Sequence, residues 1–120
     1  MKLANCTLHT QTALKEQFAS FGVEIGDEIL GFEVAISDTA ETIRQKAAEV
    51  IDLVLCGGED GILVGGLTSA AYYLIIEAFE TKSEEVDSYL RVFEVVTERI
   101  RDENDRFVFI LRGIREIKPA

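Results

Sequence analysis

Apolar and polar positions follow two periods along this chain, and each change of period marks a predicted element. Residues 2–6 form a short apolar run that predicts a strand, and a polar turn follows at residues 7–11. Apolar side chains then recur at helical spacing over residues 13–21, which predicts a helix that ends at Gly22. A second apolar stretch, residues 29–36, predicts the next strand.

The middle of the chain predicts a second helix and a buried strand. Asp38, with Glu41 three residues later, forms a capping box, and the apolar face that follows ends at the glycine pair 57–58. Residues 61–64 are uniformly apolar, as is typical of a parallel strand that helices cover on both faces. We therefore expect this strand at the centre of the sheet.

The C-terminal half predicts a third helix and a long hairpin. The helix is capped by Thr68 or Ser69 and runs to Phe79. A charged loop follows at residues 82–87, and then a strand at residues 89–100. A polar turn at residues 102–105 connects it to a final strand at residues 106–117.

This order of elements predicts a single α/β domain over residues 1–120. Strands that alternate with helices and then close in a hairpin favour a Rossmann-like, three-layer fold with a mostly parallel sheet. Right-handed crossovers place the polar loops after the first and middle strands at the same edge of that sheet.

Composition and charge narrow the function classes. Apolar residues make up 48% of the chain and charged residues 28%, which is ordinary for a globular protein. The net charge of −10 argues against general affinity for DNA or RNA. We expect no membrane partner and a cytoplasmic location, because no apolar run approaches the length of a membrane span. The two cysteines lack metal-ligand spacing, so we expect neither a metal nor another cofactor.

Three groups of residues are candidates for a binding site. In the first, a buried strand ends in Gly65 and Gly66 and the next helix opens with Thr68 and Ser69, which suits a phosphate. A P-loop is excluded because no lysine precedes the hydroxyls. The alternative is that the glycines only permit a tight turn and a hydroxyl only caps the helix.

The second group follows the first strand and contains the chain's one histidine. Its side chains offer hydrogen-bond donors and acceptors. In a doubly wound sheet this loop and the Gly65 loop can face one crevice, so both groups could contact the same ligand. The residues of this group are Asn5, Thr7, His9, Thr10 and Gln11. His9 is the evident candidate for an acid or base. A histidine in a loop is otherwise an ordinary surface residue.

The third group lies in the last strand, where Arg112 and Arg115 flank Gly113. Arginine can bind phosphate bidentately, and a glycine within a strand marks a bulge or a close approach by a ligand. Residues 91–120 hold 7 basic and 6 acidic side chains, whereas residues 1–90 hold 5 and 16. The alternative is that these arginines alternate with glutamates on a solvated sheet face.

Three segments resemble small stand-alone CRISPR-associated proteins that have a reduced CRISPR-associated Rossmann (CARF) fold. The segments are LANCTLHTQ at 3–11, GILVGGLTSAAYYL at 61–74 and FILRGIREI at 109–117. In the relatives the histidine stands nearer the asparagine, whereas here Cys6 follows Asn5.

The resemblance implies a cyclic oligoadenylate ligand, the second messenger of type III CRISPR antiviral defence. It further implies that the protein is a ring nuclease, and we expect cyclic tetra-adenylate to be a substrate. Because a cyclic ligand with two-fold symmetry fits best across an isologous interface, we also expect a homodimer. His9, Thr7 and Arg115 would serve catalysis. The other residues of the three groups, Asn5, Thr10, Gln11, Gly65, Gly66, Thr68, Ser69 and Arg112, would bind the ligand. Two alternatives stay open: a module that binds the ligand without cleaving it, and an unrelated α/β protein that assembles through its hairpin.

Overall fold

The computed structural model describes residues 1–66, 68–81 and 89–119. Five strands are found in these residues: β1 (Lys2–Asn5), β2 (Glu24–Ile29), β3 (Gly61–Val64), β4 (Arg91–Arg101) and β5 (Phe107–Ile117). The helices are α1 (Lys15–Ser20), α2 (Ala40–Gly57) and α3 (Ser69–Glu80), and a short 3-10 helix, Thr12–Leu14, precedes α1. The charged loop expected at residues 82–87 lies outside the described residues.

The strands form one sheet in the order β2-β1-β3-β4-β5. β1 pairs in parallel with β2 and β3, β3 pairs in parallel with β4, and β5 runs antiparallel to β4. The prediction of a mostly parallel α/β sheet with the 61–64 strand at its centre is therefore confirmed. The chain leaves β1 towards one edge and β3 towards the other. Such a switch opens a crevice outside the carboxyl ends of the two strands.

Apolar side chains cover both faces of this sheet. On one face, Ile51 of α2 and Leu74 of α3 belong to the same buried cluster as Ile62 of β3. On the other face, Phe18 of α1 is fully buried in a cluster with Leu63. Each such side chain contributes about 1.5–3 kcal/mol when it leaves water. The result is three layers, with α2 and α3 on one side and α1 on the other.

The second strand lies earlier in the chain than predicted. The apolar stretch 29–36 predicted it, whereas β2 is Glu24–Ile29 and residues 30–35 have no regular secondary structure. β2 is an edge strand in which only Ile25 is buried, so it has no apolar run to reveal it. Leu30 and Phe32 are apolar because they pack from a loop onto the α2–α3 face. The prediction of a strand at residues 29–36 was therefore wrong.

The start of α2 also differs from the prediction, by one residue. Thr39 is the cap, and its Oγ1 accepts a hydrogen bond of 3.2 Å from the backbone N of Thr42. The Asp38 carboxylate instead accepts from the backbone N of Ala35 at 2.8 Å. The capping box between Asp38 and Glu41 was therefore a wrong prediction, because Asp38 closes the turn that precedes the helix.

The β4–β5 hairpin extends beyond the rest of the sheet. β3 pairs with β4 only as far as Glu94, while the pairing of β4 with β5 continues to Arg101 opposite Phe107. Residues 95–101 therefore stand beside the carboxyl edge of β3. The start of β5 is apolar yet exposed, and Phe109 retains 70% of its accessible surface. In the described ranges, no helix combines the length and apolarity that crossing a membrane requires.

Candidate functional site

A crevice of about 320 Å³ opens outside the carboxyl ends of β1 and β3, where the chain changes direction across the sheet. We call it the switch-point crevice. Its described lining comes from the loop after β1, the turn after β3 and one residue of β4: Thr7, Leu8, His9, Gln11, Gly65, Gly66, Thr68 and Val95. The structure thus brings six residues of the first two candidate groups together at one place, whereas Asn5, Thr10 and Ser69 are not part of this lining.

The loop after β1 is held in shape by the side chain of Asn5, which is fully buried. Asn5 Oδ1 accepts hydrogen bonds from the backbone N of Thr7 at 3.1 Å and from Thr7 Oγ1 at 2.6 Å. Asn5 Nδ2 donates to the carbonyl oxygen of His9 at 2.8 Å. Asn5 was expected to contact a ligand, but its burial below the loop makes it a residue that positions Thr7 and His9.

The hydroxyl of Thr7 is also used within the loop. Its one proton is donated to Asn5 Oδ1 at 2.6 Å or to the carbonyl oxygen of His9 at 2.9 Å, while its oxygen accepts from the backbone N of His9 at 3.3 Å and from Gln11 Nε2 at 3.2 Å. A hydroxyl whose proton and lone pairs are occupied is poorly placed to move a substrate proton. Thr7 was predicted to assist catalysis, whereas in the structure its hydrogen bonds stabilise the loop that forms the crevice wall.

His9 presents the one titratable side chain among the described residues that line the crevice. Its main-chain atoms bond to Asn5 and Thr7, and its exposed imidazole makes no hydrogen bond to the described part of the chain. The ring can therefore meet a ligand from the crevice wall. Thr10 is exposed but does not line the crevice, so the structure separates it from the other members of its group.

The turn after β3 forms the opposite wall. A Cβ placed on Gly65 would lie 3.2 Å from Thr7 Cγ2, so glycine allows the two loops to approach closely. Gly66 has φ of +75°, a left-handed conformation that favours glycine. The backbone conformation therefore favours glycine at Gly66, and close packing against the Thr7 side chain favours it at Gly65, in agreement with the tight-turn alternative.

Helix α3 begins at this wall, and Thr68 is its cap. Thr68 Oγ1 accepts from the backbone N of Ala71 at 3.1 Å, which leaves the hydroxyl proton free to be donated. The N–H groups of Ser69 and Ala70 lie in the first turn, where a helix offers them no carbonyl partner. Together with the helix dipole, they attract an anion.

The structure does not bring the two arginines of β5 to the crevice. Arg115 Nη2 lies 2.6 Å from Glu94 Oε1, and Arg112 Nε donates to Glu98 Oε2 at 2.6 Å. Ile114 packs on the α1 face, so the alternation of side chains turns Arg115 to the other face. The solvated-face alternative describes both arginines, and the catalytic and binding roles expected of them are not supported. The register shift opposite Gly113 confirms the bulge interpretation of that glycine.

The sequence pattern did not predict the role of Gly31, which packs against the loop that forms one wall of the crevice. A Cβ at this position would lie 2.3 Å from the carbonyl oxygen of Thr7, so the loop after β2 crosses the loop after β1 in direct backbone contact. A glycine inside a predicted strand is the signal that was present, since it often marks a close backbone approach. Val95 was missed because only the hairpin's length brings it to the crevice.

No protein-family model matches this chain, and no curated protein is significantly similar to it. In the described ranges, no group of three or more His, Cys, Asp or Glu side chains is gathered closely enough to hold a metal ion.

Two further cavities adjoin the switch-point crevice, and Thr68 lines all three. One, of about 310 Å³, lies towards the loop after β2; its described lining is Leu8, Phe32, Glu33, Val34, Thr68, Ser69 and Ala70. The other, of about 470 Å³, runs along α3. The N-terminus of α3 is therefore the point at which three concave surfaces meet.

Proposed function

We propose that this protein binds a cyclic oligoadenylate in the switch-point crevice and opens the ring, as a CARF-like ring nuclease. One observation carries the proposal: His9 and Thr68, the cap residue of α3, line the same crevice at the switch point of an open α/β sheet. Two of the segments that resemble ring nucleases, residues 3–11 and 61–74, supply nearly all of the crevice's described lining. The resemblance and the cavity thus point to the same residues.

The proposed reaction needs little covalent participation from the protein. The ribose 2′-oxygen attacks the adjacent phosphorus, the bond from phosphorus to the 5′-oxygen breaks, and the products are a 2′,3′-cyclic phosphate and a 5′-hydroxyl. One proton leaves the 2′-oxygen and one is gained by the 5′-oxygen. Holding the two oxygens in line with phosphorus supplies much of the acceleration. His9 takes the first proton or supplies the second.

The negative charge that develops on phosphate is stabilised at the start of α3. The N–H groups of Ser69 and Ala70 and the free proton of the Thr68 hydroxyl are donors that need no rearrangement, which is the property that makes such sites effective. These donors act locally, against a net protein charge of −10 that repels long polyanions. A small cyclic ligand fits these conditions better than a nucleic-acid strand.

The ligand's symmetry also favours a homodimer. A ring of two-fold symmetry binds best across an isologous interface, to which each subunit lends one crevice. The hairpin stands beside the crevice and carries exposed apolar side chains at Phe107, Val108 and Phe109. Burial of these side chains against a second subunit would supply part of the association energy.

Cleavage of cyclic tetra-adenylate in the presence of EDTA tests the proposal directly. Pure protein is incubated with the ring, and the products are resolved by chromatography; we expect a linear product that ends in a cyclic phosphate. His9→Ala slows turnover more than it weakens binding, because the imidazole moves protons. Thr10→Ala is the matched control, since Thr10 is exposed in the same loop but does not line the crevice. An intact ring together with no detectable binding refutes both the activity and the CARF assignment.

A second candidate function is binding of the same ligand without cleavage. It is favoured because three of the expected catalytic or binding groups are already engaged within the protein. The Thr7 hydroxyl donates within its own loop, and the two arginines of β5 pair with glutamates. Tight binding without turnover, unaffected by His9→Ala, selects this function.

A further inference from the structure

We propose that the cavity along α3 binds a purine base, with the ring of Tyr72 as its stacking surface. We call it the tyrosine cavity; it measures about 470 Å³, and its described lining is Gly66, Thr68, Ser69, Ala71, Tyr72, Tyr73 and Ile75. The inference rests on the proposed function in taking the ligand to be a nucleotide. It adds where the base lies and which side chain holds it.

The walls of this cavity have the chemistry of a base site. Ala71, Ile75 and the two tyrosine rings supply carbon surface, and the hydroxyls of Thr68 and Ser69 stand at one end. Pockets for small organic ligands combine apolar walls with a few polar groups in this way, at volumes of roughly 300–1,000 Å³. Nucleobases stack on aromatic side chains because every base presents a π-face.

The two tyrosines differ in burial and in packing against the core. Tyr73 is half-buried and packs on the core between the sheet and the α2–α3 layer. Tyr72 keeps 61% of its surface exposed, and its ring meets that of Tyr73 edge to face, with centroids 5.3 Å apart. That contact restrains the Tyr72 ring, while more than half of the side chain's surface stays accessible. An open, oriented aromatic ring on a cavity wall suits a stacking partner.

The tyrosine cavity is continuous with the proposed phosphate site. Gly66 and Thr68 line both it and the switch-point crevice. Tyr72 follows Ser69 by about one helical turn, a rise of ~5 Å along α3. A phosphate at the first turn of α3 therefore leaves its own base beside Tyr72, while the neighbouring ribose reaches His9. This arrangement places one nucleotide of the ligand across the two cavities.

Binding of AMP and of ribose 5-phosphate to the full chain, measured by calorimetry, tests this inference. The two probes share the phosphate and the sugar and differ in the base. We expect AMP to bind the unaltered protein more tightly. Tyr72→Ala weakens AMP binding about 5- to 150-fold, the usual cost of losing one base–aromatic stack, and leaves ribose 5-phosphate within about twofold. Tyr72→Phe, which keeps the ring, retains the preference for AMP.

Leu53→Ala is the control for loss of an exposed apolar side chain, since Leu53 is 60% exposed on α2. Equal affinities for the two probes, absence of AMP binding, or equal losses for both probes in Tyr72→Ala each overturn the base site. AMP lacks the cyclic phosphodiester ring that a ring nuclease opens. Failure of the base site can therefore be distinguished from failure of the proposed nuclease activity. AMP binding that depends on Tyr72, with cyclic tetra-adenylate left intact, keeps the base site and rejects the nuclease. Opening of cyclic tetra-adenylate that is unchanged in Tyr72→Ala, together with no preference for AMP, keeps the nuclease and rejects the base site.

Discussion

Replacement of Asn5 by alanine is the sharpest test of how the crevice is built. The Asn5 side chain is fully buried and makes three hydrogen bonds, two with Thr7 and one with the carbonyl of His9. Each such bond contributes about 1 kcal/mol net, and a buried donor left unpaired, here the backbone N–H of Thr7, costs about 1–3 kcal/mol. We therefore expect Asn5→Ala to lower the free energy of unfolding by about 3 kcal/mol.

Urea denaturation of the single variants and of a double variant supplies the measurement. Thr7→Val removes the hydroxyl and keeps the shape, so the two changes share one hydrogen bond and their effects should fall short of additive by about 1 kcal/mol. Asn104→Ala, at an exposed position in the β4–β5 turn, is the matched control and should change stability by less than about 0.5 kcal/mol. Additive effects at Asn5 and Thr7, or a loss at Asn5 no larger than the control's, would refute the positioning role.

Four other outcomes follow from the structure. Gly66→Ala should cost about 1–2 kcal/mol in the same denaturation assay, because its φ of +75° disfavours a side chain; an unchanged midpoint would contradict that turn. Thr68→Ala should cost about 1 kcal/mol as the α3 cap is lost, while Thr68→Ser stays near the unaltered protein. Burial first, and then the Glu59 carboxylate, raise the pKa of the Cys6 thiol from 9.0 to about 12. Iodoacetamide should therefore label exposed Cys56 alone in the native protein, as mass spectrometry would show. Because the folded pKa lies above the unfolded one, the stability from this thiol is complete below about pH 9 and is lost as pH rises towards 12, at up to about 1.4 kcal/mol per pH unit. Cys6→Ala should remove that part of the slope, and an unchanged slope would contradict the shift.

Much of the fold was predictable wherever burial and pattern coincide. Residues 61–64 are uniformly apolar because β3 is covered on both faces, and the apolar face of α2 repeats at helical spacing because only that face meets the sheet. β2 escaped prediction for the same physical reason. As an edge strand that buries Ile25 alone, it needs no apolar run, while the loop beyond it does.

The candidate site was predictable only in part. The polar residues after β1 and the glycine turn after β3 were identified because parallel strands bring such loops to one edge. Which side chains face a ligand depended on contacts that pattern does not contain. The Asn5 side chain makes its hydrogen bonds inside its own loop. Across the hairpin, Arg112 pairs with Glu98 and Arg115 pairs with Glu94.

The amino-acid sequence by itself determined an α/β order of elements, a buried central strand, and a polar loop and a glycine turn able to meet at the carboxyl edge of the sheet. Only the tertiary structure decided which of those polar groups remain free. Hydrogen bonds are short-ranged and saturable, so a donor already satisfied inside a loop is lost to a ligand. Chain order does not specify such pairings; packing in three dimensions leaves His9, Thr68 and Tyr72 facing open cavities.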